Sequence, residues 1–334
     1  MHYLECCPIC KGQESKLLCR SRDPDRRSDI WFDILRCRQC GMVYSNPWPS
    51  PPEMQEFYPD DYYHGRKSFL SMGYEWLQKF FLRLRIAKIE RFKKSGCILD
   101  IGCGDGSFLA GLDKRRWQAF GVEFSESARR EINGKKRDFE FIVDKFLDHN
   151  FGRDFAVITL WGVLEHLDRP LETLSKIKSI LQDDGLLFIS LPNIASWEAR
   201  VFGAAWFHLD PPRHLFHYSP QTVKALLAKS GFTIMAIDHI YLEWSFFGTF
   251  QSWCNALKCQ YNFLYNWIKR SKIIGLSYPF KLLYTLLLTL FLTPVMLPLS
   301  SLLILLESLF RNGPIINVYA VKHPALNGIA RVLS

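Results

Sequence analysis

Three glycines stand two apart in CILDIGCGDGSFLAGL, residues 97–112, between an apolar run and a segment of helical spacing. Lacking a Cβ, Gly102, Gly104 and Gly106 permit a tight turn and let a ligand lie against backbone beside a helix N-terminus. A dinucleotide fingerprint would place glycine at 107, but that residue is serine, and an acid, Asp100, stands two before the first glycine. An acid at the end of a strand suits a cationic ligand better than a pyrophosphate. The next apolar run, AFGVEFS, brings Glu123 to the end of a second strand, where its two carboxylate oxygens suit a pair of ribose hydroxyls. These residues point to a nucleoside that carries a positive charge.

A second group is made of thiols. Cys7 and Cys10 form one C-x2-C pair, Cys37 and Cys40 another, with Gly41 after the second. Two such knuckles give four thiolates to one tetrahedral zinc ion, and a closed four-cysteine site staples a module rather than catalysing. The spacer is longer than the usual zinc-ribbon range of roughly 15 to 20 residues, which predicts an insert around DPDRRSDIWFD. Cys6 and Cys19 are bystanders on this reading.

A third group lies in PPRHLFHYSPQTVKALLAKSGF, residues 211–232, where Arg213, His214 and His217 precede a helix opening at Ser219. Loops after the carboxyl ends of strands are where a doubly wound sheet places its substrate. A hydroxyl that is to act as a nucleophile needs its proton removed, and imidazole titrates near neutrality. His214 is therefore the candidate general base and His166 the second candidate.

These groups require a parallel sheet to hold them. Residues 97–101 read as a buried strand, SFLAGLDKRRW from Ser107 as a helix, and GFTIMAIDHI and PIINVYAVK as the last two strands. LDIGCGDGSFL followed by GVEFSESA closely resembles the first two motifs of class I S-adenosylmethionine-dependent methyltransferases. FIVDKF with Asp144, FAVITLWGVLEHLDRP with the Glu165–His166 pair, and DGLLFISLPN resemble later segments of that family, so the likeness covers about residues 97–240. It implies that Asp100, Gly102, Cys103, Gly104, Gly106, Glu123, Phe124, Asp144, Lys145 and Trp161 hold S-adenosyl-L-methionine. Asp144 takes the place of the acid that meets the adenine amino group. The stretch after the second knuckle, CGMVYSNPWPSPPEMQEFYPDDYY, resembles the junction between zinc knuckles and methyltransferase domains in enzymes of bacterial surface-polysaccharide and sugar biosynthesis. That likeness implies a sugar or glycan hydroxyl as acceptor, on a lipid-linked or nucleotide-linked precursor. The proline run 47–52 reads as a semi-rigid connector, and Tyr58, Tyr62 and Tyr63 as caps of the cofactor pocket or as packing for the linker.

The expected architecture is α/β: a seven-stranded Rossmann-like methyltransferase sheet with helices on both faces, a small N-terminal zinc-ribbon-like module, and an apolar helical insertion between strands 6 and 7. The divisions are 1–50 for the zinc module and linker, 51–95 for a linker and helical lid, 96–240 for the cofactor-binding core, 241–313 for the insertion, and 314–334 for the last strand and tail. Within 51–95, Glu75–Lys94 reads as an amphipathic helix with a stripe at Leu77, Phe81 and Leu84 and a basic opposite face.

The chain's 334 residues hold 48% hydrophobic residues with a net charge of +9, and its mean hydropathy is −0.03. The apolar excess is local, since residues 282–306 contain no charged side chain. One straight crossing of a bilayer would leave strands 6 and 7 on opposite sides. Pro294 and Pro298 would break the segment into halves of about 18 Å, too short for a hydrocarbon core of about 30 Å. The expectation is a helical hairpin dipping into one leaflet, with packing on the enzyme or on a second subunit as the alternative. The tryptophan- and tyrosine-rich stretch 244–272 has the composition of an interfacial belt. MHYLECCPIC lacks a basic region followed by an apolar one, so no secretory signal is read and the cytoplasmic face of the membrane is expected.

Basic charge also fits RNA, and zinc ribbons occur on some ribosomal RNA methyltransferases. However, DPPR at 210–213 follows the fifth strand rather than the fourth and lacks an aromatic to stack on a base, which makes nucleic acid the weaker partner. A non-catalytic membrane-associated protein that kept the fold is the remaining alternative.

Overall fold

A computed structural model describes residues 1–23, 30–58, 71–123, 138–240, 242–257, 259, 262 and 279–323. Among these residues the strands are, in chain order, β1 (Ser15–Arg22), β2 (Trp31–Cys37), β3 (Val43–Asn46), β4 (Gly96–Ile101), β5 (Trp117–Glu123), β6 (Glu140–Val143), β7 (Phe155–Trp161), β8 (Leu181–Pro192), β9 (Phe216–His217), β10 (Phe232–Asp238) and β11 (Ile315–Lys322). Seven of them form one sheet in the order β10-β11-β8-β7-β4-β5-β6. From β8 to β6 the neighbours run parallel, while β11 is antiparallel to both β8 and β10. The seven-stranded sheet, and the antiparallel pairing of its last two strands, are as the sequence led us to expect.

The central strands read as continuous apolar runs because both faces are covered. On one face Leu99, Ile158 and Ile189 pack with Leu174 and Ile177 of helix Pro170–Ile180 and with Val223 and Leu227 of helix Pro220–Lys229. On the other, Ile98, Val157 and Phe188 pack with Ile89 of helix Ser71–Glu90 and Phe108 of helix Ser107–Ala110. The chain reverses its direction of sheet growth between β4 and β7, so the loops after these two strands flank the crevice at the switch point.

Three sequence expectations are corrected. The helix after the glycine loop ends at Ala110, with Gly111 as its C-cap; a Cβ at Gly111 would lie 2.7 Å from Leu82 of the preceding helix, so close packing sets its length. Helix Ser71–Glu90 leaves Leu77 and Leu84 exposed and buries Ile89 instead, with Leu82 and Ile86 packed beside it. The inward row is therefore offset from the one the spacing suggested. Finally, residues 282–306 do not fold back as a hairpin. They lie in one helix, Pro279–Leu309, whose parts Leu283–Phe291 and Thr293–Leu309 meet at 46°. A proline removes one hydrogen bond and tilts the axis, and the remaining bonds carry the helix past it. No single helix among the described residues is long and apolar enough to cross a membrane, although the two parts together meet that test of length and composition.

Candidate cofactor and acceptor site

Gly102, Gly104 and Gly106 have φ of +68°, +53° and +70°, a region that favours glycine, so the whole G-x-G-x-G turn depends on missing side chains. A Cβ on Gly102 would also come within 2.7 Å of Val163, which places the turn after β7 directly against the glycine loop. Asp105 accepts a hydrogen bond from the Ser107 N–H at 3.0 Å and closes the turn.

Two acids frame this loop. Asp100 is buried at the end of β4 and accepts a hydrogen bond from Thr159 Oγ1 at 2.7 Å. Burial pushes its carboxyl up to about 7, which the Thr159 bond only partly offsets. Glu123, at the end of β5, reaches back to accept the Gly104 N–H at 3.2 Å. A cationic nucleoside fits this donor set: a carboxyl held at the edge of ionisation for positive charge, a second carboxylate one strand away, and bare backbone between them.

The other expected cofactor residues divide. Cys103 turns its thiol toward the backbone of β5, where a Cβ on Gly121 would lie 2.6 Å away, so only its main chain is available to a ligand. Trp161 packs at 4.3 Å from the Phe188 ring centre and at 5.3 Å from Phe108. Asp144 follows β6, accepts from the Lys145 N–H at 2.8 Å and lies 3.2 Å from His149 Nδ1, while Lys145 itself is exposed. Phe124, Tyr62 and Tyr63 lie outside the described residues.

On the other side of the crevice, Leu164–His166 form one 3₁₀ turn after β7. His166 Nδ1 lies 2.9 Å from the Arg213 carbonyl and 3.0 Å from the Tyr58 hydroxyl, and its ring centre is 4.6 Å from that of His214. His214 Nδ1 lies 2.9 Å from the His208 carbonyl, and its Nε2 lies 4.0 Å from Asp210. Burial holds both imidazoles below the usual histidine range, His214 furthest, with His166 as its next cause. Burial alone would raise Asp210, yet the Arg213 guanidinium, paired to it through Nε at 2.9 Å, keeps it well below the carboxylate range. Glu165 is buried and pushed up to about 8 by that burial. In the sequence Glu165 is visible only as one half of the Glu165–His166 pair, and Thr159 carries no local signal.

His217 is placed differently from its loop neighbour His214. It lies in β9, opposite Val43 of β3, and its Nε2 is 3.1 Å from Ser45 Oγ, which also donates to the His214 carbonyl at 2.8 Å. The N-terminal sheet, β1-β2-β3-β9, therefore takes its last strand from the histidine loop. At its base the four expected cysteines converge: Cys7 Sγ is 3.6 Å from Cys40 Sγ, and Cys10 Sγ is 3.5 Å from Cys37 Sγ. A tetrahedral zinc with bonds of about 2.3 Å spaces its sulfurs by about 3.8 Å, so the set fits zinc. Knuckle bonds from Lys11 N to the Cys7 carbonyl at 2.9 Å and from Gly41 N to the Cys37 carbonyl at 3.1 Å hold both turns.

Residues 72–237 match a family model described as a methyltransferase domain. A ubiquinone biosynthesis O-methyltransferase of Histophilus somni (strain 2336) is 30% identical over 133 residues, covering 36% of this chain and 56% of that protein. One of the same description from Actinobacillus pleuropneumoniae serotype 5b (strain L20) is 30% identical over 121 residues, covering 33% and 52%. The chain thus spans about half the length of these curated relatives. Among solved structures, a SAM dependent methyltransferase from Archaeoglobus fulgidus aligns at 22% identity with a TM-score of 0.45, covering 73% of this chain and 94% of that one.

Proposed function

We propose that this chain, whose residues 72–237 form a class I S-adenosylmethionine-dependent methyltransferase domain, methylates a hydroxyl of a sugar or glycan precursor, and that the precursor is lipid-linked. The observation that carries the donor half is the glycine turn with three positive φ angles, set between buried Asp100 and Glu123 at the switch point of the sheet. Direct transfer from a sulfonium to oxygen asks the protein mainly for alignment, together with a group that takes up the proton. His214 is the proposed proton acceptor, with His166 beside it. The O-methyltransferase description of the relatives supports an oxygen acceptor.

The lipid half of the proposal rests on the long helix. Thr285, Ser300 and Glu307 are fully buried against the protein, whereas Leu290 and Phe291 are 74% and 79% exposed, with Leu286, Leu287, Val295, Leu302 and Leu305 also facing outward. Ile304 is also buried, and Leu288 and Met296 pack on Phe250 and Cys254, so the helix is apolar outward as well as inward, which a surface helix in water is not and one lying in a membrane interface is. Four thiolates at Cys7, Cys10, Cys37 and Cys40 would hold a structural zinc that braces the histidine loop through β3 and β9.

The test is isothermal titration of the detergent-solubilised protein with S-adenosylmethionine. Saturable binding that is lost in Asp100→Ala and Glu123→Ala supports the reading. A folded, zinc-loaded protein that does not bind the donor overturns it and favours the non-catalytic alternative.

A further inference from the structure

We propose that Glu165, His166 and His214 form a second metal site, for a divalent first-row transition-metal ion, on the acceptor side of the crevice. The inference rests on reading the glycine loop as a methyl-donor site, because it gives the ion work to do there. One ring nitrogen of each histidine and one oxygen of Glu165 all lie within 4.8 Å of one another.

Three features make this cluster a built one. Each imidazole has a backbone carbonyl at 2.9 Å from Nδ1, Arg213 for His166 and His208 for His214. A carbonyl can only accept, so each Nδ1 carries the proton and each Nε2 keeps a lone pair, which is how ligating histidines are usually oriented. Glu165 Oε2 is buried without a hydrogen-bond partner, a costly arrangement for a polar atom that a cation would relieve. The surrounding charge agrees as well. Arg213 is matched by Asp210, so an ionised Glu165 would leave one net negative charge for a cation.

Two imidazoles and one carboxylate suit zinc, iron, cobalt or nickel, and three protein ligands leave open positions, unlike the closed thiolate set. An ion there would hold the acceptor oxygen and make its proton more acidic. In the transfer the acceptor O–H bond breaks and its proton leaves to solvent. A C–O bond forms to the methyl carbon, and the C–S bond breaks to leave a neutral thioether. His214 would then serve as a ligand rather than as the proton acceptor. Val163, packed against Gly102 and two residues before Glu165, places this work beside the donor loop.

The experiment titrates Co²⁺ into protein whose cysteine site is already filled with Zn²⁺, following visible absorption and heat, with donor binding measured in parallel. The expected result is one equivalent of Co²⁺ with weak ligand-field bands and no intense thiolate-to-cobalt bands. Affinity should drop at least tenfold in both Glu165→Gln and His214→Asn, while S-adenosylmethionine binding in both variants shows that they are folded. No Co²⁺ uptake by a wild type that binds the donor, or uptake unchanged in both variants, overturns the metal site. Uptake that depends on these residues in a protein that fails to bind the donor would keep the metal site and remove the donor reading.

Discussion

Asp100 shows what one residue can report. Its unfolded pKa is near 3.9, and burial raises it to about 7 in the fold. The neutral form therefore favours the ligand-free fold, and stability present at low pH is lost as pH rises through about 7. A cationic donor reverses the preference, since it binds best beside the carboxylate. Below about pH 7, binding must expel a proton, so affinity should fall by up to tenfold per unit of acidification and level off above neutrality. Titration calorimetry between pH 5.5 and 8.5 checks this, and Asp100→Asn should give weaker binding with a flatter profile. A wild-type profile that weakens as pH rises would remove Asp100 from the cation's surroundings. Asp100 and Glu123 were legible in the sequence because each ends a strand at a fixed distance from the glycines. Thr159 and the unpaired oxygen of Glu165 were not, because they acquire meaning only where separate strands meet.

At the scale of elements, the glycine turn and the β3–β9 pair make separate predictions. Gly102→Ala meets two obstacles, a left-handed backbone costing roughly 1–2 kcal/mol and Val163 2.7 Å from the new Cβ. Adding Val163→Ala should restore the steric part and leave the backbone part, a split visible in thermal melts of the single and double variants. Equal destabilisation with and without Val163→Ala would show that the turn does not press on the strand beside it. With the proposed zinc loaded at the four cysteines, its removal by a chelator should loosen more than the knuckles. Because Val43 pairs with His217 and Tyr44 with Phe216, amide exchange at residues 214–218 should speed up together with that of β1–β3. Exchange that rises in β1–β3 alone would mean the histidine loop stands without the module. Sequence spacing revealed both knuckles but not this sharing, since a two-residue strand has no period. The same limit explains Leu77 and Leu84. A helical stripe names a face, and which face the core accepts was settled by Gly111 and the sheet.

For the molecule as a whole, the long helix carries the proposed membrane contact. Its charge-free stretch was legible from composition, but its continuity past two prolines was not, because it involves tertiary contacts: Phe250 and Cys254 of helix Leu242–Ala256 pack with Leu288 and Met296, one on each side of the bend. Glu307 Oε1 accepts the Glu198 N–H at 2.9 Å, and Thr249 and Ser252 donate to Glu198 at 3.2 and 3.1 Å, so the C-terminal part of the helix is tied to the protein through Glu307. The outer face has no such partner among the described residues, and two occupants compete for it, a lipid surface and a second copy of the chain. The net charge of +9 favours the first, since anionic vesicles would attract the protein and salt would weaken that attraction. Leu290→Asp with Phe291→Asp should lower vesicle binding by about 3 kcal/mol, or about a hundredfold, because two large apolar side chains leave the interface. Fold stability should stay within about 0.5 kcal/mol of wild type, since neither residue packs inward. Flotation with anionic vesicles, compared with sedimentation in detergent-free buffer, separates the occupants. Binding lost in the double variant, with no change in mass, assigns the outer face to a lipid surface, as the proposed lipid-linked acceptor requires. A wild type that ignores vesicles and doubles its mass, and a variant that stays single, would assign the same leucines to a dimer and release the acceptor from the membrane.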